Sequence, residues 1–481
     1  MVFAVVFFVN SAANFAFGIV LSALLGPAEF GRYATIALAA ATLAGAAFDW
    51  LRHSSLRFSG DAAERVRIAS SLEAGYLGVM ALLYLVVGAA ALTGLTFGAT
   101  LTALALTPLL AVALSRLDFA GAQFRARDQE RAFAALYGLR QLFAFTFVVA
   151  VAYYSRDSAL TIAALAVSSL VVAVALGSPM RTPGARLRRA SGRKLVEFLV
   201  YAKPIVASLV IYQLIALINR QVALDRLGAV ETGQLSLATD LGQRLFLAIN
   251  SLPELLLFQY ALQRQRGEGP AAAERQIGVN IVLVFALLAP LTAGYVVMAP
   301  TFEALLVPTA YRGEFARLTI ELAPGFLAFC AISSGLNPVF QLARRTWPVT
   351  IAALSALAVD LALLQFGDAS RSVDGLARAA SISLGVGFLV GAGLAFGNAG
   401  VRPRLRDIAI IVAATLVMAF LVRPLNGVGP HALAAALALI VGGLVYGGAM
   451  LLFDVAGLRG LAAERLRAPR RALVARLRPH S

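Results

Sequence analysis

Charge is what this chain has least of. Only 14% of its 481 residues are Asp, Glu, Lys or Arg, and 60% are hydrophobic. A soluble domain carries about 25% charged residues. The mean hydropathy of +0.82 instead belongs to a chain that folds in lipid. A single cysteine, Cys330, excludes a disulfide framework, and the 3 histidines leave no Cys/His cluster to hold a metal. No G-x-x-x-x-G-K-[ST] occurs, which excludes ATP hydrolysis by a P-loop. No nucleophile–base constellation stands out, so no catalytic residue, metal or cofactor is assigned. The net charge of +16 does not point to nucleic acid, because the basic residues are spread over short loops with no basic domain.

What the chain has in abundance is long apolar runs. Fourteen runs of spanning length follow one another, centred from near residue 12 to near residue 441, and no loop exceeds roughly twenty-five residues. The expected fold is an all-α polytopic membrane protein of about 14 helices. The first run begins at Met1 without a basic leader and extends to about residue 24. It reads as a retained helix rather than a signal peptide, and the missing leader leaves room for a start codon upstream. Thirty Arg and Lys fall on the even-numbered loops and the C-terminal tail, against nine on the odd-numbered loops. This positive-inside bias places both termini in the cytoplasm and requires an even number of helices. The basic tail, 458–481, reads as topology and contact with lipid headgroups.

Two short stretches repeat. LGPAEFG at 25–31 and LGAVETG at 227–233 share L-G-x-x-E-x-G. Six helices lie between them, so both copies have one orientation and both fall on the periplasmic side. The chain therefore reads as two parallel six-helix lobes, 1–180 and 204–397. A basic cytoplasmic linker, 181–203, joins them, and an added helix pair, 398–457, follows. Paired bundles of this kind are a transporter architecture with the substrate between the halves. Recurrence of a tight glycine turn for packing alone is the plainer account.

Charged groups inside a membrane helix are costly and face a cavity or each other. In the helix read at 233–258, Asp240, Gln243, Arg244, Asn250, Ser251 and Glu254 fall within an arc of about 120° at 100° per residue, interrupted only by Leu247. The arc suggests a wet cavity. Pairing of Asp240 with Arg244 at i, i+4 is the structural alternative. The first helix carries Ser11, Asn14, Gly18 and Ser22 on one stripe, which serves either a ligand, through Asn14, or close helix packing. Arg140 either snorkels outward or offers a cation to an anionic headgroup. Asp49 with Arg52, and Asn219 with Arg220, read as local pairs or caps near an interface. Asp118 and Asp360 read as lone acids near helix ends.

The stretch LSALLGPAEFGRYATIALAAATLAGAAFDWLRHSSLRF resembles the first helical hairpin of the polysaccharide transporter family. The family turn, roughly L-G-P-x-x-[YF]-G-x-[YF], is met by Leu25, Gly26, Pro27, Phe30, Gly31 and Tyr33. Residues 195–238 are similar to the start of the family's second half. These proteins are flippases of undecaprenyl-diphosphate-linked oligosaccharides, in the superfamily that also holds toxin-extrusion multidrug exporters and the peptidoglycan-precursor flippase. The chain departs from the family in having Ala229 for the second proline and fourteen helices rather than twelve, the number of the peptidoglycan-precursor flippase. No cavity cation can be matched position by position. The resemblance implies a bacterial inner-membrane flippase working by alternating access in the synthesis of surface polysaccharide, such as O-antigen of lipopolysaccharide or an exopolysaccharide. Its partners would be the lipid-linked oligosaccharide, membrane lipids and other polysaccharide-assembly proteins. On that reading Arg244, then Arg140, binds the diphosphate, since guanidinium binds phosphate bidentately. Asn14, Gln243 and Asn250 hydrogen-bond sugar hydroxyls. Asp240 or Glu254 carries a coupling proton or holds Arg244. A cation-coupled drug exporter of the same superfamily is the alternative. A membrane polymerase or glycosyltransferase is disfavoured by the short loops, and a non-transporting scaffold by the polar stripe.

Overall fold

The computed structural model describes residues 2–58, 64–93, 100–176, 184–343, 345, 347–398 and 401–460. Most of the basic tail and the first residues of the linker, 181–183, lie outside them. Among the described residues there are no strands and 13 helices long and apolar enough to cross a membrane. We number these helices α1 (Val2–Phe58), α2 (Arg65–Thr93), α3 (Leu101–Ala126), α4 (Glu130–Ser155), α5 (Ser158–Ala175), α6 (Gly192–Arg226), α7 (Ala229–Glu268), α8 (Pro270–Val297), α9 (Glu314–Leu342), α10 (Trp347–Phe366), α11 (Val373–Asn398), α12 (Leu405–Val422) and α13 (His431–Leu452). The protein is a polytopic all-α membrane protein.

Helix α1 has 57 residues. At 1.5 Å per residue it would be about 85 Å long, far beyond the ~30 Å hydrocarbon core. Gly26 resolves the mismatch. Its φ of 69° and ψ of 171° break the helix into two, so 13 helices supply the fourteen expected segments. The second copy of the repeat does the same. Gly228, before α7, has φ 110° and ψ 175°. Only glycine reaches this region without strain.

The two turns meet. A Cβ built on Gly31 would run into the carbonyl oxygen of Ala229 and the backbone of Gly233, and one on Gly233 would run into the carbonyl of Pro27. The main chains therefore touch where no side chain fits. Phe30, Tyr33 and Tyr311 are buried around this contact. Tyr311 stands edge-on to Phe30 with ring centroids 6.2 Å apart, and its hydroxyl donates to the Ser22 carbonyl at 3.2 Å. Glu29 accepts from the Ser158 amide at 3.0 Å, which ties the first turn to the start of α5.

Helix α1 is central, packed on α3, α6 and α7, while α12 packs on α8 and α13. Several expected loops turn out to be helix. Residues 192–203 of the linker open α6 after Ser191. Helix α7 runs on from 258 to Glu268 and stops at Gly269 (φ 88°), with Pro270 opening α8. Strong helix formers continue a helix past its apolar run until a glycine ends it, and hydropathy does not register this. Residues 186–191 of the linker dock on α2, where Ser70 and Ser71 accept the amides of Arg186 and Ser191 at 3.2 and 2.9 Å.

Candidate functional site

Arg244 lies 15 residues beyond Ala229, the first residue of α7, about 22 Å along its axis. Its guanidinium crosses α1 at Gly18, where an added Cβ would come within 2.9 Å of Nη1, and donates to the Asn14 carbonyl. In the stripe of the first helix, Gly18 gives the close approach and Asn14 lies beside Arg244. The Asn14 side chain accepts from Gln141 at 3.1 Å, and Gln141 also donates to Asn10 at 2.7 Å.

Arg244, Asn14 and Gln141 line a cavity of about 150 Å³ with Phe17, Tyr33, Arg140, Ser168 and Ser169. Among the described residues, no Asp or Glu is in its lining. Arg140 reaches it from α4, next to a π-helical turn at Ala144–Val148. Such turns free backbone groups and recur at functional sites. Arg140 is 3.9 Å from Asp118, which is half exposed. Arg244 has no carboxylate partner among the described residues.

A second cavity of about 310 Å³ adjoins the first, farther from the Gly26 end, and shares Leu114 and Arg140 with it. Asp49, Arg52, Asp118, Ser115 and Gln213 line it. Asp49 and Arg52 form the local pair expected of them, with Nε 3.0 Å from Oδ1.

The sequence reading of α7 needs correction. Asp240 does not pair with Arg244; it pairs with Arg220 of α6, which is only 3% exposed and also donates to the Ala34 carbonyl at 3.1 Å. Arg220 is thus an inter-helix partner, not a local cap. Removing one member of such a pair costs about 3–5 kcal/mol, because the other charge stays buried alone. Asn250 is fully buried and donates at 3.3 Å to Oγ of Ser333, which lies within a second π-helical turn at Ala331–Leu336. It does not join Arg244. Gln243 is half-buried but is not in the cavity lining, and Leu247, within the polar arc, is exposed. The Glu254 side chain lies outside those the structure describes. Asp360, read as a lone acid near a helix end, is fully buried and accepts from Asn219 at 3.0 and 2.9 Å and from Ser383 at 3.3 Å.

No family model matches the chain, and no curated protein is similar to it in sequence. Solved structures are similar in fold. One is "Lipid II flippase MurJ, inward closed conformation", at 12% identity and a TM-score of 0.70 over 94% of this chain and 98% of that one. Two others are inward- and outward-facing conformations of a multidrug resistance MATE family transporter of the MOP superfamily. They stand at 17% and 16% identity with TM-scores of 0.56 and 0.53, over 81% and 82% of this chain and 95% and 94% of theirs. The chain therefore shares its fold with these solved transporters.

Proposed function

We propose that the protein is a flippase that carries a polyprenyl-diphosphate-linked oligosaccharide across the bacterial inner membrane, for assembly of a cell-surface polysaccharide. The observation that carries this reading is the pair Arg140 and Arg244 on one cavity without an acid in its lining. Arg244, which has no carboxylate partner among the described residues, is costly at this depth unless it meets an anion, and together with Arg140 it offers two guanidinium groups that match the two phosphates of a diphosphate in charge and geometry. A cation-coupled drug exporter would want the opposite sign, and the nearby acid, Asp240, is taken by Arg220. The fold likeness to a lipid II flippase over nearly its whole length supports the same reading.

Residues 1–180 and 204–397 act as two lobes that rock about the site, and 398–457 is an added pair. Both termini are cytoplasmic and the Gly26 end is periplasmic. The conformation, sealed where the two turns touch, is the one that faces inward. Reconstituted in vesicles, the protein is expected to move a fluorescent polyprenyl-diphosphate sugar between leaflets. Movement no faster than in protein-free vesicles would exclude the reading. Sidedness has its own check. A cysteine at Arg156, exposed in the same loop as Ser158, should react with a membrane-impermeant thiol reagent in intact cells, and one at Ala190 should not. Labelling at 190 from outside would invert the topology.

A further inference from the structure

We infer that the larger cavity, between Asp49, Arg52, Asp118 and Gln213, binds the first sugar of the substrate through its hydroxyl groups. The inference rests on the flippase reading, which puts a diphosphate at Arg140 and Arg244. Arg140 lines both cavities, so whatever is bonded to that diphosphate on the side away from the Gly26 end enters the second cavity.

The chemistry of the cavity suits a neutral polyol. Its lining holds two carboxylates and two guanidinium groups, so it selects for neither sign of charge. A sugar hydroxyl both donates and accepts, and needs carboxylates that accept, guanidinium groups that donate, and an amide that does both. Gln213 supplies the amide. Its Oε1 is buried with no hydrogen-bond partner, and an unsatisfied buried acceptor is costly until a donor arrives. Gly45, which has no side chain, faces that oxygen, and a Cβ there would stand 3.3 Å from it. The volumes agree with this division. At about 310 Å³ the cavity reaches the size of small ligand pockets, whereas the one at Arg244, about 150 Å³, takes a smaller group.

The test uses the full-length protein in lipid nanodiscs and two synthetic probes: a bare polyprenyl diphosphate, and the same lipid carrying one neutral hexose. The hexose-bearing lipid is expected to bind about tenfold more tightly, the effect of one or two net hydrogen bonds. Gln213→Leu, which changes no charge, should bring that ratio toward one, and so should Asp118→Asn. Arg244→Ala should weaken both lipids and leave the ratio standing. Equal binding of the two probes to the unaltered protein, or a full ratio in Gln213→Leu, overturns the inference while the diphosphate site stands. Binding of neither probe overturns the flippase reading and this inference with it.

Discussion

Arg244→Ala is expected to abolish export of surface polysaccharide while the protein still reaches the membrane. The guanidinium has no carboxylate to neutralise among the described residues, so its removal strands no buried acid. What is lost is one hydrogen bond to the Asn14 carbonyl and the charge that faces the cavity. A charge-assisted hydrogen bond contributes about 1.5–3 kcal/mol, and two to a diphosphate make the expected loss of affinity roughly a hundredfold or more. Arg244→Lys keeps the charge without the fork and should retain partial export. Gly18→Val offers a second route to the same end. It introduces a side chain where Nη1 passes at 2.9 Å from the built Cβ and displaces the guanidinium without removing it. Binding of polyprenyl diphosphate should fall in all three, steepest in Arg244→Ala. Normal export from Arg244→Ala would remove this residue from the substrate site.

Gly233→Val is expected to be at least as damaging, through a different step. Its Cβ would occupy the place of the Pro27 carbonyl, and backbone cannot step aside as a side-chain tip can. Carbon and oxygen atoms rest at about 3.5–4.0 Å, so the turns must part by roughly 1–2 Å. A seal of close-packed main chain then opens. Spin labels at Arg32 and Val230, both exposed, should report a longer distance in Gly233→Val and in Gly31→Val than in the unaltered protein. Transport in vesicles should fall close to the protein-free rate, because a carrier that cannot close one end leaves its cycle. An unchanged distance together with normal transport would show that the contact is not a gate.

Much of this fold was legible because lipid imposes simple rules. Spanning length and the alternation of Arg with side gave fourteen segments, and the L-G-x-x-E-x-G repeat marked the two turns that meet. What hydropathy missed were helix ends: it stopped α7 near 258, where apolar residues end, whereas the helix stops at Gly269. The angular arc on α7 and the stripe on α1 pointed to Arg244 and Asn14, which line one cavity, because a wheel reports direction within one helix. It cannot report partners on another. Asp240 finds Arg220 on α6, and Asn250 finds Ser333 on α9 across a π-helical turn that no sequence period announces. Gln213 gave no signal at all, since one amide in an apolar run is unremarkable until Gly45 is seen to face it.

The contact between the turns has one more property. Pro27 and Ala229 hold the same place in the two copies of the repeat, as do Gly31 and Gly233. Gly31 meets the carbonyl of Ala229, and Gly233 meets the carbonyl of Pro27. This exchange, in which i touches j′ and j touches i′, is the signature of an isologous interface about a two-fold axis. A homodimer has such reciprocity imposed on it, since one residue serves both faces. Here a single chain supplies both faces, and each can differ alone. The position that offers only its carbonyl differs between the copies, proline in one and alanine in the other; the position that must lack a side chain is glycine in both.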